Sequence, residues 1–586
     1  MLPQNHRELL RKIAILQSLC VDTYTASSLT YTILHDWLNP IYPLLALNHE
    51  FPELSFDSRV IEFVHELRKL SFVDAAFWLS CGYANWVGKA SRKEKAMFFT
   101  PPKLAEKVID VLIKDGASLK SHVWFDPACG GAAFIVPIAQ RMRNCLINSG
   151  FSPDGIINNL EKNVVGLDLD ETLQHLTATY LKVILYAEIE KSGRKFNPNI
   201  RQTNTLLLEK NNFPKFDVLV CNPPYRKLVL SDRKNISCEY LHEAQGQYNL
   251  YAVFMAAVTK AAYDKSYIAL LTPTSYMSGL HFSKLRNLLS NNLEVSRLQL
   301  LSDRDTTFVE VEQETVILYG KKTVSRVGSN KTAVSILAAE NEVLVGIVEL
   351  NDDGQVWYVP RNIQEYQAYK TMAKAPFRLQ DYGYVAKIGP LVWNRDERKQ
   401  LFSDADLREA QSPVPVIWSS NITPDGRFEF GKTSGQKGHF NFVDFENKKN
   451  DGLLRESCVV MQRVTSAEQN RRLVATYIPD DFIKTHKHFI AENHVITIIP
   501  ILPKISLREM KELLMSMQVD LLYRCLSGNV GISVYELKQL PLPDPNELIS
   551  ALKAGIKMAD AVFIAYQKTI ERTELDNGKK SKQSRY

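Results

Sequence analysis

The 586-residue chain lacks the features that mark several broad protein classes. Its eight cysteines are scattered and form no Cys-x-x-Cys pair, which argues against a zinc ribbon or a disulfide scaffold and fits a reducing cytoplasm. No apolar run approaches the ~18 residues of a membrane helix, and the start has no basic region leading into an apolar core. We therefore expect a cytoplasmic protein without a membrane anchor or a secretory signal.

The cysteines also exclude one kind of nucleophile. None of them follows a proline directly, so the Pro-Cys nucleophile of cytosine-C5 methylating enzymes is missing. The net charge of +6 is mildly basic, which permits a polyanionic partner without requiring one. The length allows two or three domains with full cores.

One segment, Phe216 to Tyr225, has the pattern of a buried strand that ends in a rigid polar tip. The run Val218 to Cys221 is short and apolar, which is typical of a strand buried on both faces of a parallel sheet. Asn222 precedes two prolines, which have a fixed φ and no N–H, so the strand stops there. The Asn222 amide, the Pro223 carbonyl and the Tyr225 ring are left to face a ligand.

These groups suit a planar substrate that carries an NH2 group. The Asn222 oxygen and the Pro223 carbonyl can each accept one N–H, and Tyr225 can stack on the ring. An exocyclic amine is a poor nucleophile because its lone pair is delocalised into the ring. Two hydrogen bonds to its protons can aim the lone pair at an electrophile, so catalysis would come mostly from positioning. A proline-capped strand end without chemistry is the alternative interpretation.

Three further predicted strands end in polar residues: Asp126 before a turn with two glycines, Asp168, and a segment at Asn204. Strand, small-residue turn and helix open a doubly wound sheet, in which ligands bind above the strand ends. The turn is neither a Gly-x-Gly-x-x-Gly motif nor a Walker loop. A carboxylate at Asp126 fits a cationic ligand such as S-adenosylmethionine, Asp168 can hold a ribose diol, and Asn204 can read an adenine edge. Helix capping by the acids, including Asp170, and turn formation by Asn204 are the alternatives.

The flanking segments complete this pattern. Residues 1–90 are predicted to be helical, and Phe99-Thr100-Pro101 leads into another helix, which Thr100 is well placed to cap. A functional alternative is that Thr100 also touches a ligand above the sheet. The last strands of the sheet are predicted at Tyr267 to Pro273, Leu298 to Leu301 and Thr315 to Tyr319.

The order of these motifs resembles the N6-adenine DNA methyltransferases of restriction-modification systems, in the gamma-type arrangement. In that group the cofactor motifs come first, Asn-Pro-Pro-Tyr follows, and a target recognition domain lies at the C-terminus. The resemblance covers roughly residues 95 to 325 well. Asn222 to Tyr225 matches the catalytic motif without change. Ala132 stands where many members have Gly, and Asn204 where the family usually has Asp.

The resemblance implies S-adenosyl-L-methionine as cofactor, double-stranded DNA as partner, and direct methyl transfer to N6 of a flipped-out adenine without a metal. A cognate restriction endonuclease or a specificity subunit would be a further partner. The implied catalytic residues are Asn222, Pro223, Pro224, Tyr225 and Phe308. The implied cofactor-binding residues are Phe99, Thr100, Pro101, Asp126, Ala128, Gly130, Asp168, Leu169, Asn204 and Thr205.

The implied fold class is α/β. A Rossmann-like class I S-adenosylmethionine methyltransferase domain (residues 91–325) would follow a helical N-terminal domain (1–90). A mixed α+β target recognition domain (326–545), a C-terminal helix (546–576) and a disordered basic tail (577–586) would come after it. Candidate DNA contacts are Lys432, Lys437, Gln462 and Arg463, because Lys loops approach phosphates whereas Arg and Gln can read base edges.

Other functions remain open at this point. A protein glutamine or a base in structured RNA also presents an NH2 group with a delocalised lone pair, so a methyltransferase for either would face the same chemical problem. The motif alone does not separate these substrates. A DNA-binding protein without catalytic activity is a second alternative, against which the intact Asn-Pro-Pro-Tyr argues. A fused nuclease is disfavoured by the length of the chain.

Overall fold

The computed structural model divides the chain into two compact units, one formed by Met1–Tyr276 and His281–Gln355 and the other by Met277–Leu280 and Val356–Tyr586. The described residues are 6–47, 51–95, 97–244, 249–302, 314–324, 330–338, 341–351, 353–431, 440–445, 452–465, 469–526 and 530–583. Among the helices of these residues, none is both long enough and apolar enough to cross a membrane.

The first unit is built on a nine-stranded sheet, whose order is β3-β2-β1-β4-β5-β7-β6-β8-β9. The strands are β1 (Trp124–Asp126), β2 (Val164–Asp168), β3 (Asn199–Gln202), β4 (Val218–Cys221), β5 (Tyr267–Pro273), β6 (Leu293–Leu301), β7 (Thr315–Lys322), β8 (Asn330–Ala338) and β9 (Asn341–Leu350). Strands β1 to β5 run parallel to one another, whereas β7 runs antiparallel to both of its neighbours, β5 and β6. The sheet continues through β8 and β9, beyond residue 325, where the sequence predicts the domain to end.

Helices accompany the sheet throughout the first unit. They are α1 (His6–Leu16), α2 (Thr23–Leu38), α3 (Ser58–Lys69), α4 (Phe72–Trp86), α5 (Lys89–Lys95), α6 (Pro102–Lys114), α7 (Ile135–Asn148), α8 (Pro153–Asn163), α9 (Glu171–Ile184), α10 (Tyr186–Ser192), α11 (Cys238–Glu243), α12 (Leu250–Ala261), α13 (Ser275–Ser278) and α14 (Ser283–Asn292). Strands that alternate with helices form the doubly wound α/β architecture that the sequence predicts.

The strand order reverses between β1 and β4. From β1 the chain proceeds outward to β2 and β3, and it then returns to place β4 on the other side of β1. In open α/β sheets, the crevice at such a switch point is the ordinary ligand site. Asp126 ends β1 and Asn222 directly follows β4, so two of the residues singled out from the sequence lie on either side of this crevice.

The N-terminal helices share one hydrophobic core with the sheet. Helix α4 is buried on nearly every face, so it needs packing partners on all sides. It contacts the turn after β1, where the Ser80 hydroxyl donates to the Gly131 carbonyl at 3.3 Å. The Tyr83 hydroxyl also donates to the Asp170 carboxylate at 3.0 Å. Residues 1–90 therefore support the predicted ligand turns directly.

The second unit contains two four-stranded sheets, with orders β10-β17-β14-β15 and β11-β13-β12-β16. Their strands are β10 (Tyr384–Ile388), β11 (Gln400–Leu401), β12 (Pro413–Ile417), β13 (Phe442–Asp444), β14 (Val459–Gln462), β15 (Ala475–Tyr477), β16 (Ile490–Ala491) and β17 (Val495–Pro500). The helices are α15 (Ile363–Met372), α16 (Asp404–Glu409), α17 (Asp480–His486), α18 (Leu507–Leu514), α19 (Met517–Leu526), α20 (Val534–Gln539), α21 (Pro545–Lys553) and α22 (Met558–Gln583). This is the mixed α+β composition expected for the C-terminal region.

The C-terminal helix differs from its prediction. The apolar spacing over 546–576 suggests one helix, but the structure has α21 and α22, separated at Gly555, whose φ of +79° ends the first helix. Helix α22 extends to Gln583, into the segment where a disordered tail is expected and where three lysines favour the helical state. Residues 584–586 lie outside the described part of the chain.

Gly131 offers a test of the packing between α4 and the turn after β1. A Cβ added there would overlap the Cβ and Oγ atoms of Ser80. Gly131→Ala should therefore lower the free energy of unfolding by about 1 to 3 kcal/mol, as overpacking does. Combined with Ser80→Gly, the added Cβ would meet only the residue-80 Cα at 3.6 Å, so the double variant should be destabilised by less than the sum of the two single effects.

Urea denaturation of both single variants and the double variant measures this coupling. Gly155→Ala is the control, since its added Cβ would meet nothing closer than 3.3 Å. Additive effects would show that the two residues are not in steric contact.

Candidate functional site

A cavity of about 410 Å³ opens at the carboxyl ends of the strands that flank the switch point. Its walls come from the segment before α6, the turn after β1, the ends of β2 and β3, and the segment after β4. Eleven residues predicted from the sequence line it: Phe99, Thr100, Asp126, Ala128, Gly130, Asp168, Leu169, Asn204, Thr205, Asn222 and Pro224. The structure thus brings together residues that lie more than a hundred positions apart.

The Asn222 side chain is held in one orientation. Its Nδ2 atom donates to the Phe98 carbonyl at 3.2 Å and to the Thr100 hydroxyl oxygen at 3.1 Å. A carbonyl can only accept a hydrogen bond, so the amide nitrogen must face Phe98 and the amide oxygen must face the other way. Asn222 lines the cavity. The side chain therefore offers a hydrogen-bond acceptor, Oδ1, to a ligand.

Thr100 does not cap helix α6, contrary to the expectation from the sequence. The N-cap is Pro101, with no side-chain cap, and the helix begins at Pro102. The Thr100 hydroxyl lies one residue before the N-cap, and Pro102 has no N–H to receive a cap. Thr100 is instead buried and accepts the hydrogen bond from Asn222. The alternative interpretation, a role at the ligand site, fits this geometry.

The rest of the motif is also fixed. The Tyr225 hydroxyl donates to the Leu271 carbonyl of β5 at 2.8 Å, and burial raises the pKa of this hydroxyl well above its ordinary value, so it remains a donor. The Tyr225 ring meets the Tyr251 ring edge-on, with centroids 6.2 Å apart. Among the described residues, no hydrogen bond reaches the Pro223 carbonyl. Pro223 is buried and, like Tyr225, is not among the residues that line the cavity, so its role as a second acceptor stays a prediction.

Two carboxylates, at the ends of β1 and β2, also line the cavity. Asp126 is buried, and this desolvation raises its pKa to about 8, even though the Ala128 N–H donates to it at 3.1 Å. Burial raises the pKa of Asp168 to about 6, which two hydrogen bonds at 2.8 Å from the backbone N–H groups of Gly130 and Asp170 counteract. Near pH 7 and without a ligand, Asp168 is therefore mainly ionised and Asp126 mainly protonated.

The glycine-containing turn lets the backbone approach the cavity closely. Gly130 has a φ of +49°, and a Cβ there would lie 2.9 Å from the Phe99 ring. Ala132 also has a positive φ, of +67°, at the position where the resembling family often has Gly. This left-handed conformation is unfavourable for Ala, yet the turn adopts it with Ala in place of Gly.

The side chain of Asn204 is engaged within the protein. Its oxygen accepts from the Leu206 N–H at 3.1 Å, and its nitrogen donates to the Asn235 carbonyl at 3.0 Å. Thr205 donates its hydroxyl hydrogen to the Pro127 carbonyl. Asp170 caps α9 by accepting from the Leu173 N–H at 3.2 Å, and it lines the cavity together with Asp168. The adenine contact of Asn204 stays a prediction.

Several predicted residues lie elsewhere. Phe308, Lys432 and Lys437 lie outside the described residues. In the second unit, Gln462 donates to the Ile422 carbonyl at 2.7 Å and Arg463 to the Asn493 carbonyl at 2.9 Å, so both side chains hold loops of their own unit. Their contact with DNA stays a prediction.

Sequence reasoning missed the segment after Tyr225. Arg226, Leu228, Asp232 and Ile236 line the cavity, and Arg226 forms a two-fold ion pair with Asp232 at 2.6 and 2.9 Å. Residues 226–236 carry four cations and a single acid, and this charge pattern is what could have singled out the segment in the sequence. Only the folded chain shows that the segment borders the cavity.

The chain is similar to restriction-modification methyltransferases. The sequence profile of the Eco57I restriction-modification methylase family matches residues 153–308. The Type II methyltransferase M.PstI of Providencia stuartii is 24% identical over 360 residues, which cover 58% of this chain and 68% of the relative. M.BanIII of Aneurinibacillus aneurinilyticus is 24% identical over 289 residues, which cover 45% of this chain and 47% of the relative. The chain is thus similar to these enzymes over part of their length.

The chain is also similar to solved structures over nearly its whole length. The Type IIL restriction-modification enzyme MmeI, determined in complex with DNA, superposes with a TM-score of 0.52 at 12% identity, covering 94% of this chain and 91% of that one. At this identity the likeness concerns the fold. Together with the strand order, it confirms the predicted fold class, an α/β methyltransferase-type domain joined to a mixed α+β region.

The buried acid Asp126 makes stability depend on pH. An unfolded Asp has a pKa near 3.9, whereas the folded pKa of Asp126 is about 8. Between these two pH values the folded chain keeps a proton that the unfolded chain has released. This contribution to stability is complete below pH 4 and disappears as the pH rises toward 8. The Asp126→Asn variant has no titrating group at this position, so this pH dependence of the stability is lost.

We expect the ligand-free Asn variant to gain stability over the wild type as the pH rises from 5 to 8, by at most about 1.4 kcal/mol per pH unit. Urea denaturation at each pH measures the difference. A difference that is equal at pH 5 and pH 8 would contradict the raised pKa.

Proposed function

We propose that this chain is a DNA methyltransferase that transfers a methyl group from S-adenosyl-L-methionine to N6 of a flipped-out adenine. We further propose that it is the modification component of a restriction-modification system. The observation that carries the proposal is the fixed Asn222 amide at the cavity, whose nitrogen is bound to Phe98 and Thr100, so that its oxygen is left to accept a hydrogen bond. An acceptor held at this position selects a substrate N–H.

The cavity fits the cofactor. Asp168 can accept hydrogen bonds from a ribose diol, because two backbone N–H groups already stabilise its ionised form. Leu169 lies at the cavity and is 66% exposed, so it has apolar surface for an adenine ring to cover. Asp126 can ionise when a cationic group approaches. When bound, S-adenosylmethionine would supply an activated methyl group on a positively charged sulfur.

The chain's own residues would then act by positioning. The Asn222 oxygen and the Pro223 carbonyl each accept one hydrogen of the adenine amine, which draws its lone pair out of conjugation with the ring. Tyr225, pinned through its hydroxyl to Leu271, offers its ring for stacking. Base–aromatic stacking contributes about 1 to 3 kcal/mol, which is comparable to the cost of extruding a base. As the amine nitrogen bonds to the methyl carbon, the bond from that carbon to sulfur would break and leave its electron pair on a neutral thioether. The nitrogen would release one proton to solvent water.

The choice of DNA rests on the similarity to Type II methyltransferases and on the second unit. A methyltransferase for a protein glutamine has no need of a large reading domain, whereas a site-specific DNA enzyme does. Phe308 as a second aromatic contact, and Lys432, Lys437, Gln462 and Arg463 as DNA contacts, belong to this proposal. A cognate nuclease or specificity subunit would be its partner in the cell.

Methyl transfer from labelled cofactor to mixed-sequence duplex DNA, tRNA, rRNA and cell protein, run in parallel, tests the function. We expect label in DNA as N6-methyladenine, and a decrease of about 100-fold to 1,000-fold in Asn222→Ala with cofactor binding retained. Label in RNA or protein would assign the same chemistry to another substrate. Cofactor binding without any transfer would support a silent DNA-binding protein.

Thr100 variants test the fixed amide itself. Thr100→Val removes one acceptor of the Asn222 nitrogen and nearly preserves the shape of the side chain, so kcat should fall while the cofactor Kd changes little. Thr100→Ser keeps the hydroxyl and should restore most of the activity. Equal activity of the Val and Ser variants would show that this hydrogen bond does not position Asn222.

Gly130 variants test the cofactor site separately. In Gly130→Ala the new Cβ would press on Phe99 at the cavity wall and the backbone φ would be unfavourable, so cofactor affinity should fall at least tenfold. Gly193→Ala is the matched control, since its φ is +66° and nothing lies within 4 Å of the added Cβ. Calorimetric titration of both variants should show a weakened cofactor only for Gly130→Ala.

A further inference from the structure

The segment that follows Tyr225 carries two exposed aliphatic side chains at the rim of the cavity. Val229 is 59% exposed and Leu230 is 79% exposed. Their neighbours Leu228 and Asp232 line the cavity itself. Exposing large apolar side chains to water is unfavourable for the isolated chain. Their position beside the cavity therefore indicates a binding surface.

The segment is braced rather than loose. Both Asp232 oxygens bind the Arg226 guanidinium, and Oδ2 also accepts the Val229 N–H at 2.8 Å. The Arg226 carbonyl accepts the Leu250 N–H at 2.8 Å, which ties the start of the segment to helix α12. Residues Leu230–Asn235 form a short 3₁₀ helix. Val229 and Leu230 are therefore presented on a supported turn.

Exposed cations flank the two aliphatic residues. Lys227 precedes them, and Arg233 and Lys234 follow them. The one acid of residues 226–236, Asp232, is neutralised by its ion pair with Arg226. An apolar tip between cations is complementary to a nucleic-acid duplex, which presents apolar base faces between rows of phosphates.

We propose that Val229 and Leu230 form a wedge that enters the DNA base stack where the target base leaves it, while Lys227, Arg233 and Lys234 contact the adjacent phosphates. This inference rests on the proposed function and adds a DNA contact on the catalytic unit itself. A base that leaves the duplex exposes the faces of its stacked neighbours, and apolar side chains that cover those faces favour the open state. The wedge lies at the same cavity as Asn222, where the extruded base must arrive.

The test compares two duplexes, which carry the mapped methylation site with the target adenine either paired or opposite an abasic position. Replacing both residues, Val229→Ser with Leu230→Ser, should lower kcat/KM on the paired duplex about tenfold or more. The decrease on the abasic duplex should be less than about threefold, because that base is already unpaired. Cofactor affinity should not change. Leu344→Ser, at a site that is 66% exposed on β9, is the control and should affect neither duplex.

A fluorescent base analogue at the target position gives a second measurement. Binding of the wild type should raise its fluorescence as the base unstacks, and binding of the double variant should raise it less. Equal decreases of kcat/KM on both duplexes, or no decrease on either, would overturn the wedge while leaving the methyltransferase intact. If the wild type methylates neither duplex, the proposed function fails, and the wedge fails with it.

The cations are tested by the salt dependence of DNA binding. Lys227→Gln, Arg233→Gln and Lys234→Gln together should make the slope of log Kd against log salt shallower by about 0.9 for each phosphate that the variant no longer neutralises. The matched control replaces three exposed lysines of the same unit, Lys162, Lys191 and Lys195, with Gln. Equal slopes in both triple variants would show that Lys227, Arg233 and Lys234 do not contact phosphates.

Discussion

The two hydrogen bonds that orient the Asn222 amide are the constraint on which the site depends. They use both N–H bonds of the side chain on protein acceptors, the Phe98 carbonyl and the Thr100 hydroxyl, so that only the oxygen is left for a substrate. The prolines that follow prevent the backbone from changing this direction. The site is thereby committed to receiving N–H groups before any substrate arrives, which is how preorganised polar groups contribute most to catalysis.

The remainder of the first unit keeps the two sides of this crevice in place. Strand β4 delivers Asn222, and β1 and β2 deliver the two acids. Helix α4 supports the turn after β1 through Ser80 and the turn after β2 through Tyr83. Burial raises the pKa of both acids, and Asp168 receives two backbone N–H groups whereas Asp126 receives one. Both acids line the same cavity as Asn222.

Local rules were sufficient to predict much of this arrangement. The strand before Asn222, the acids at strand ends and the two glycines after β1 follow from proline geometry, apolar runs and backbone freedom. The partners of Asn222 and Thr100 were not predictable in this way, because they lie more than a hundred residues apart and meet only through the sheet. The braced segment from Arg226 to Ile236 was missed for the same reason. Its charges and aliphatic residues are ordinary until the fold places them at the cavity rim.

The most direct test of the central claim is a structure of the protein with duplex DNA and a cofactor analogue that cannot transfer its methyl group. We expect an extruded adenine with its amine nitrogen about 2.7 to 3.2 Å from both the Asn222 oxygen and the Pro223 carbonyl. Its ring would stack on Tyr225. An adenine bound elsewhere, or an Asn222 amide whose nitrogen faces the substrate, would contradict it.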